Sequence, residues 1–328
     1  MATVAVSQQI ARIRRIEALR LGRELAVPVL ALAALVAMIS LAQPKFLSMR
    51  AMAGLATDAA PTLMLVIGAT IVILTGGIDL SIATMASFAA VATVILNPGF
   101  GDVGIPLILL IAAAIGTMQG YVHAQAQIPS FVVTFGTLGI LYGVTHYISN
   151  ATAAPLSGPS MIIAFLAGKS FGIPHGIVAV AIWAAILAFV FRFTRLGRDI
   201  YAVGASERAA LLSGVKVTRV KMIAFAISAI CAAMAGLLLL SQTMYSSPAM
   251  ANNFLLPTIV GVVVGGTSIS GGMGGIGCAL AGGLIAVTVR IGTVIVGLNP
   301  AYQNVVFGTV IIIAVASTID RQKIGVIK

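Results

Sequence analysis

One polar interval, residues 192–221, interrupts a chain that is otherwise a succession of apolar runs of membrane length, and no other feature restricts the fold as much. It carries seven basic residues, Arg192, Arg195, Arg198, Arg208, Lys216, Arg219 and Lys221, against two acidic ones, Asp199 and Glu207. Lys and Arg beside membrane spans are held on the cytoplasmic side, so the interval is predicted to be a cytoplasmic loop. Its centre, residues 206–214, runs Ser-Glu-Arg-Ala-Ala-Leu-Leu-Ser-Gly: an N-cap, a run of helix formers and a glycine stop. That pattern predicts a short helix on the membrane surface. A solvated loop needs no such helix, and the small and apolar edge Ala209, Ala210, Leu211, Leu212 is what a docking partner would cover. The competing reading is a charged loop that only sets topology.

Composition agrees with a membrane setting: 60% of residues are hydrophobic and 8% charged, with a mean hydropathy of +1.12, which excludes a soluble domain. The expected class is an all-α polytopic membrane protein. A net charge of +11 does not point to nucleic acid, because the basic residues sit at the ends of apolar runs and not on one polar face. Cys231 and Cys278 both fall within apolar runs, where small-residue packing is the expected role. Five arginines (Arg12, Arg14, Arg15, Arg20, Arg23) precede the first apolar run, so a cleaved leader is not expected.

About 20 apolar residues cross the hydrocarbon core. On that scale the predicted crossings are residues 25–42, 61–75, 82–96, 105–124, 131–148, 176–191, 222–244, 254–266, 276–297 and 302–319, ten in all. The stretches around Pro61 and Pro257 are short enough to be broken or re-entrant helices. Both termini then lie inside, as a cytoplasmic basic tail at 1–24 and another at 320–328, with 192–221 as the central cytoplasmic loop of a single membrane domain, 1–328. Fifteen basic residues fall inside and three (Lys45, Arg50, Lys169) outside, with Arg290 left within a span.

The chain holds 35 glycines, and in a membrane small residues let helices approach closely. Two clusters share a pattern: Gly76-Gly77-Ile-Asp79-Leu-Ser and Gly265-Gly266-Thr-Ser-Ile-Ser. Each joins a short inward span to an outward one, which places both at the same depth near the cytoplasmic side. Two readings stand for them, packing alone or a border of a solute path, since broken helices expose backbone only where protein or a wet path satisfies it. Arg290 lies about four residues, or about 6 Å, past the centre of its span. It is expected to face a subunit interface or a wet path, or to snorkel outward. No Walker A motif is present: Gly168-Lys169-Ser170 has its final part, but Ile163 stands where the first glycine must be. His123, His146 and His175 lack metal-ligand spacing.

Four runs in order carry a resemblance that covers nearly the whole chain: Leu-Thr-Gly-Gly-Ile-Asp-Leu-Ser at 74–81, Pro-Ser-Phe-Val-Val-Thr-Phe-Gly-Thr-Leu at 129–138, Arg-Leu-Gly-Arg-Asp-Ile-Tyr-Ala-Val-Gly at 195–204 with Ala209-Ala210 and Ser213-Gly214 beyond it, and Val-Gly-Gly-Thr-Ser-Ile-Ser-Gly-Gly at 264–272. The sequence resembles the permease subunits of bacterial ribose-type ABC sugar importers. The resemblance implies a type II importer-like permease in the bacterial inner membrane. It also implies a second permease subunit (homodimer or heterodimer), cytoplasmic ABC ATPase subunits or a fused tandem ATPase, and a periplasmic sugar-binding protein. Residues Gly204, Ser206, Glu207, Arg208, Ala209, Ala210, Ser213 and Gly214 match the segment that couples to the ATPase. Under this reading the chain is not an enzyme and needs no cofactor or metal, ATP and magnesium belonging to the partners. Asp79 then has two readings, a cap of the following helix or a direct sugar contact. The sequence departs from the family at Phe254-Leu-Leu-Pro257, where related permeases usually carry Glu-Leu-Asp, which leaves the sugar and the symmetry of the pair open. The rival class is an ion-coupled secondary transporter. Coupling to protons or sodium usually needs buried carboxylates, only Asp79 is placed near one, and that class does not account for a docking helix.

Overall fold

The computed structural model describes residues 26–295, 297, 299 and 301–318; the expected tails at 1–24 and 320–328 lie outside the described residues. Helices dominate: α1 Ala26–Ala42, α2 Met49–Leu74, α3 Ile82–Phe100, α4 Gly104–Gln125, α5 Ser130–Ile148, α6 Met161–Ala167, α7 His175–Phe193, α8 Arg195–Ala205, α9 Glu207–Leu212, α10 Val217–Thr243, α11 Leu255–Val264, α12 Ile276–Ile295 and α13 Ala301–Thr318. Two-residue strands pair Ala154–Pro155 with Tyr245–Ser246 and Lys169–Ser170 with Ile173–Pro174. Among the described residues, six stretches are long and apolar enough to cross a membrane: α2, α3 with α4, α5, α7, α10 and α12. Shorter apolar helices run over Ala26–Ala42, Asn252–Val264 and Tyr302–Ile312. The polytopic helical class therefore holds, while the expected ten crossings exceed the six that length and composition carry.

At the centre lies α10, packed against α4, α2 and α3. Every residue of α2 from Ala59 to Leu74 is buried, as expected of a helix that is apolar all round. By contrast α4, α5 and α7 turn large side chains outward, among them Leu110, Phe135, Ile140 and Phe189. Glycine lets the central helices touch. A Cβ on Gly116 of α4 would overlap the Phe225 carbonyl of α10, one on Gly236 of α10 would overlap the Ala86 carbonyl of α3, and one on Gly68 of α2 would stand 2.8 Å from the Cys231 Cβ. Both cysteines are buried, and Cys231 serves packing, with the Trp183 indole N–H directed at its sulfur at 3.2 Å.

Two expectations change and one holds. Pro61 does not shorten or break its span: α2 is continuous over 26 residues. Proline lacks the N–H that would bond four residues back, which frees the Thr57 carbonyl. The Gln242 side-chain amide donates to that oxygen at 2.6 Å, and Arg290 donates to the next carbonyl, Asp58, at 3.3 Å. Side chains of α10 and α12 thus complete the helix that the sequence interrupts. The polar interval, in turn, is not a loop around one helix. Its first part is α8, which buries Gly197, Ile200 and Val203, and α10 starts at Val217, five residues before the expected span. The apolar positions of α8 recur at helical spacing, but charges at Arg195, Arg198 and Asp199 disguise the stripe. The helix holding Pro257 is short as expected, ten residues, about 15 Å long, and too short to cross alone.

Candidate functional site

Two helix ends from distant parts of the sequence close in the same way. At the end of α2, the Gly77 N–H donates to the Val72 carbonyl at 3.1 Å and Gly76 has φ +81°. At the end of α11, the Thr267 N–H donates to the Val262 carbonyl at 3.2 Å and Gly266 has φ +92°. Each is a six-to-one closure with a left-handed residue just past the helix, a conformation that costs glycine nothing. The backbone therefore matches Gly76 with Gly266, one residue out of step with the pairing of Gly76-Gly77 with Gly265-Gly266 that the sequence pattern implies. Gly265 serves close packing instead, since a Cβ there would overlap the Cys278 carbonyl of α12.

The first stop meets the turn that follows the second. The Gly272 N–H donates to the Leu74 carbonyl at 3.0 Å. A Cβ on Gly271 would stand 2.8 Å from the Gly76 nitrogen and 3.0 Å from the Gly204 carbonyl, and one on Gly204 would overlap the Leu74 carbonyl. Gly204 is the penultimate residue of α8, so the polar interval is locked onto the end of α2 and the glycine turn beyond α11, where the backbones are too close for a side chain. Tyr201, also on α8, adds a hydroxyl bond to the Gly274 carbonyl at 2.8 Å.

Asp79 sits beside the junction, buried, at the centre of a polar cluster. Its Oδ1 accepts from the Ser81 N–H at 3.0 Å and the Ser81 hydroxyl at 2.7 Å, and its Oδ2 accepts from Ser228 of α10 at 2.8 Å. Gln119 of α4 donates to the Ser81 hydroxyl at 2.7 Å. The backbone between the helices is pinned from α5, since Ile78 N–H donates to Ser130 Oγ at 2.9 Å and Leu80 N–H to Thr134 Oγ1 at 3.1 Å. Asp79 thus caps the turn that leads into α3 and ties it to α10. None of Ser130, Thr134, Gln119 and Ser228 was singled out by sequence as a partner of Asp79: Ser130 and Thr134 stood only as part of the 129–138 run, Gln119 and Ser228 are isolated polar residues in two further apolar runs, and only the fold gathers them.

Two residues past Gly204 the chain enters α9. Ser206 is its N-cap, the side chain accepting from the Ala209 N–H at 3.3 Å. The helix ends in a third closure of the same kind, Val215 N–H to the Ala210 carbonyl at 3.0 Å, with Gly214 at φ +83°. Glu207 pairs with the buried Lys221 of α10 at 2.7 Å, which fixes α9 to the membrane domain. Arg208, Ala209, Leu211, Leu212 and Ser213 are exposed, whereas Ala210 is buried. The small edge expected to face a partner is therefore split: Ala209 faces out and Ala210 faces the chain's own core.

Arg290 is not part of this junction. Its guanidinium lies over the Phe254 ring, 4.6 Å from the centroid, and bonds the Asp58 carbonyl, sixteen residues or about 24 Å along α2 from Leu74. Among the described residues, no group of three His, Cys, Asp or Glu is placed to hold a metal ion.

Comparison with known proteins places this architecture. A family model described as "Branched-chain amino acid transport system / permease component" matches residues 51–315. The ribose import permease protein RbsC of Bacillus subtilis (strain 168) is 35% identical, covering 90% of this chain and 92% of that protein. RbsC of Escherichia coli (strain K12) is 30% identical over the same shares, and the D-allose transport system permease protein AlsC of Escherichia coli (strain K12) is 32% identical over 86% of each chain. No solved structure matches.

Proposed function

The chain belongs to the family of branched-chain amino acid transport system permease components, and from that premise we propose that it is the transmembrane subunit of an ABC importer carrying a monosaccharide or a similar small polar solute across the bacterial inner membrane. The observation that carries this is the match over about nine-tenths of both chains to permeases named for ribose, with one named for D-allose beside them. In this reading the chain crosses the membrane about ten times, the short α11 supplying only part of one crossing, with both termini cytoplasmic. It pairs with a second permease subunit, takes solute from a periplasmic binding protein, and is driven by ATP hydrolysis on partner subunits that supply the ATP and magnesium sites. The rival, an ion-coupled transporter, needs a titrating carboxylate in the path; Asp79 is instead tied into three hydrogen bonds that support a turn.

The coupling element is α9 with the end of α8. Its exposed Ala209, Leu211 and Leu212 offer an apolar edge to the ATPase, and the Gly204 junction passes a displacement of α9 straight to the end of α2 and the glycine turn beyond α11. Ala209→Asp tests this. A carboxylate buried unpaired in that contact costs several kcal/mol, on the order of the 3–5 typical of a broken buried pair. The mutant is expected to insert and unfold as wild type does, to lose co-purification with the ATPase, and to stop importing. Wild-type co-purification and uptake would remove the docking role. Ala210→Asp is the internal contrast, since it destabilises the permease itself.

A further inference from the structure

Where α7 hands over to α8, a cavity of about 550 Å³ opens between the first turn of α8, the 213–216 turn and the first two turns of α10. Arg195, Lys216 and Arg219 line it, with Asp199 as the acid beside them. All three cations are exposed, and among the described residues none of them forms an ion pair or a side-chain hydrogen bond. Converging like charges repel, and an anion in the cavity relieves that repulsion. Leu196, Val220 and Ile223 give it an apolar part. Just before Arg195 in sequence, Phe189 and Phe193 at the end of α7 are 61% and 63% exposed. A cationic pocket next to an exposed apolar helix end matches a ligand with an anionic head and hydrocarbon tails.

We propose that this cavity binds the phosphate of an anionic phospholipid headgroup in the cytoplasmic leaflet, its tails lying along α7. The inference rests on the cytoplasmic placement of α8 and α9 proposed above. Basic pockets at the cytoplasmic ends of membrane helices hold anionic headgroups, and each basic residue near an anionic membrane surface is worth about fivefold in affinity. The cavity is lined by the first turn of α8, the turn that closes α9 and the start of α10, so lipid there braces the base on which α9 stands.

The test uses the full chain in nanodiscs of phosphatidylcholine with a minority of phosphatidylglycerol, read by native mass spectrometry of retained lipid. Wild type is expected to retain phosphatidylglycerol in preference to phosphatidylcholine. Arg195→Gln, Lys216→Gln and Arg219→Gln should each lower that preference about fivefold. Arg198→Gln removes the same charge from outside the cavity and should leave the preference unchanged. An equal loss in Arg198→Gln, or no loss in the three cavity variants, overturns the site. Displacement of the lipid by inorganic phosphate at the same concentration reassigns it to a free anion and overturns the lipid reading. Labelling of Ser206→Cys from each side, run in parallel, separates the two premises: reaction from the periplasm sinks the orientation, whereas lipid retention reports on the pocket alone.

Discussion

The ends of α2 and α11 share a closure and part company immediately after it. Three residues past the positive-φ glycine, the first turn has Asp79 and the second has Ile269; two further on, Ser81 is answered by Gly271. The first turn is consequently held by side chains from α4, α5 and α10. The second is held by backbone and by contact, with Gly272 bonded to Leu74, Tyr201 bonded to Gly274, and glycines where α11 meets α12. Thr267 Oγ1 and Gln119 Oε1, one in each region, are buried without a hydrogen-bond partner. One backbone device has thus been stabilised by two unlike means, and they should fail differently. A polar cluster weakens one hydrogen bond at a time, while a glycine contact tolerates no side chain at all.

The largest expected effect comes from the glycine side. A Cβ on Gly282 of α12 would overlap the Gly261 carbonyl and stand 2.5 Å from the Gly265 nitrogen. These are backbone atoms that cannot rotate away. Gly282→Ala should therefore cost about 3 kcal/mol, the upper end of overpacking penalties, read as a drop in the thermal midpoint of the purified subunit. Gly136→Ala, on α5 with no atom within 4 Å of the added carbon, should cost nothing. Equal behaviour of the two would show that α11 and α12 separate easily, and the contrast between the turns would collapse.

How much of this was legible beforehand follows from where each signal resides. Helix stops carried by the local chain were readable: Gly76, Gly214 and the short Pro257 helix announce themselves within a few residues. The pairing of Gly76 with Gly266 was off by one because a Gly-Gly dipeptide does not say which member adopts positive φ. Amphipathic α8 was hidden by its own charges. Partners of Asp79 were unreadable in principle, since Ser228 lies 149 residues away and nothing marks it among the other small residues of α10. Arg290 stands in the second half of α12. Its partner, though, is a backbone carbonyl beside one freed by Pro61, and no sequence pattern records a carbonyl.

The polar side of the comparison predicts a graded loss. Asp79→Ala leaves the Ser81 N–H and the Ser81 and Ser228 hydroxyls without their acceptor, in a buried site where each unsatisfied group costs about 1–3 kcal/mol. Some relaxation brings the expected total to about 2 kcal/mol. Asp79→Asn retains an oxygen toward Ser81 and places an amide against Ser228, whose hydroxyl rotates to accept, so the loss should stay below about 1 kcal/mol. Thermal unfolding of the two variants side by side decides the matter. If alanine and asparagine fall equally, the charge and not the hydrogen-bond count holds the turn.

Smallest of all should be Gln119→Leu, and its sign is the informative part. The amide gives one good bond to Ser81, worth about 1 kcal/mol net, but its own carbonyl is buried and unpartnered. An orphaned polar atom of this kind costs about as much as the bond contributes. Leucine removes both at similar length, and it places apolar surface in a region of α4 already packed against α10. The two effects should cancel to within about 0.5 kcal/mol. A loss of 2 kcal/mol or more would mean that Gln119 Oε1 finds a partner in the membrane-embedded protein, such as an ordered water. The cluster around Asp79 would then be wet, and the first turn would differ from the second in hydration as well as in bonding.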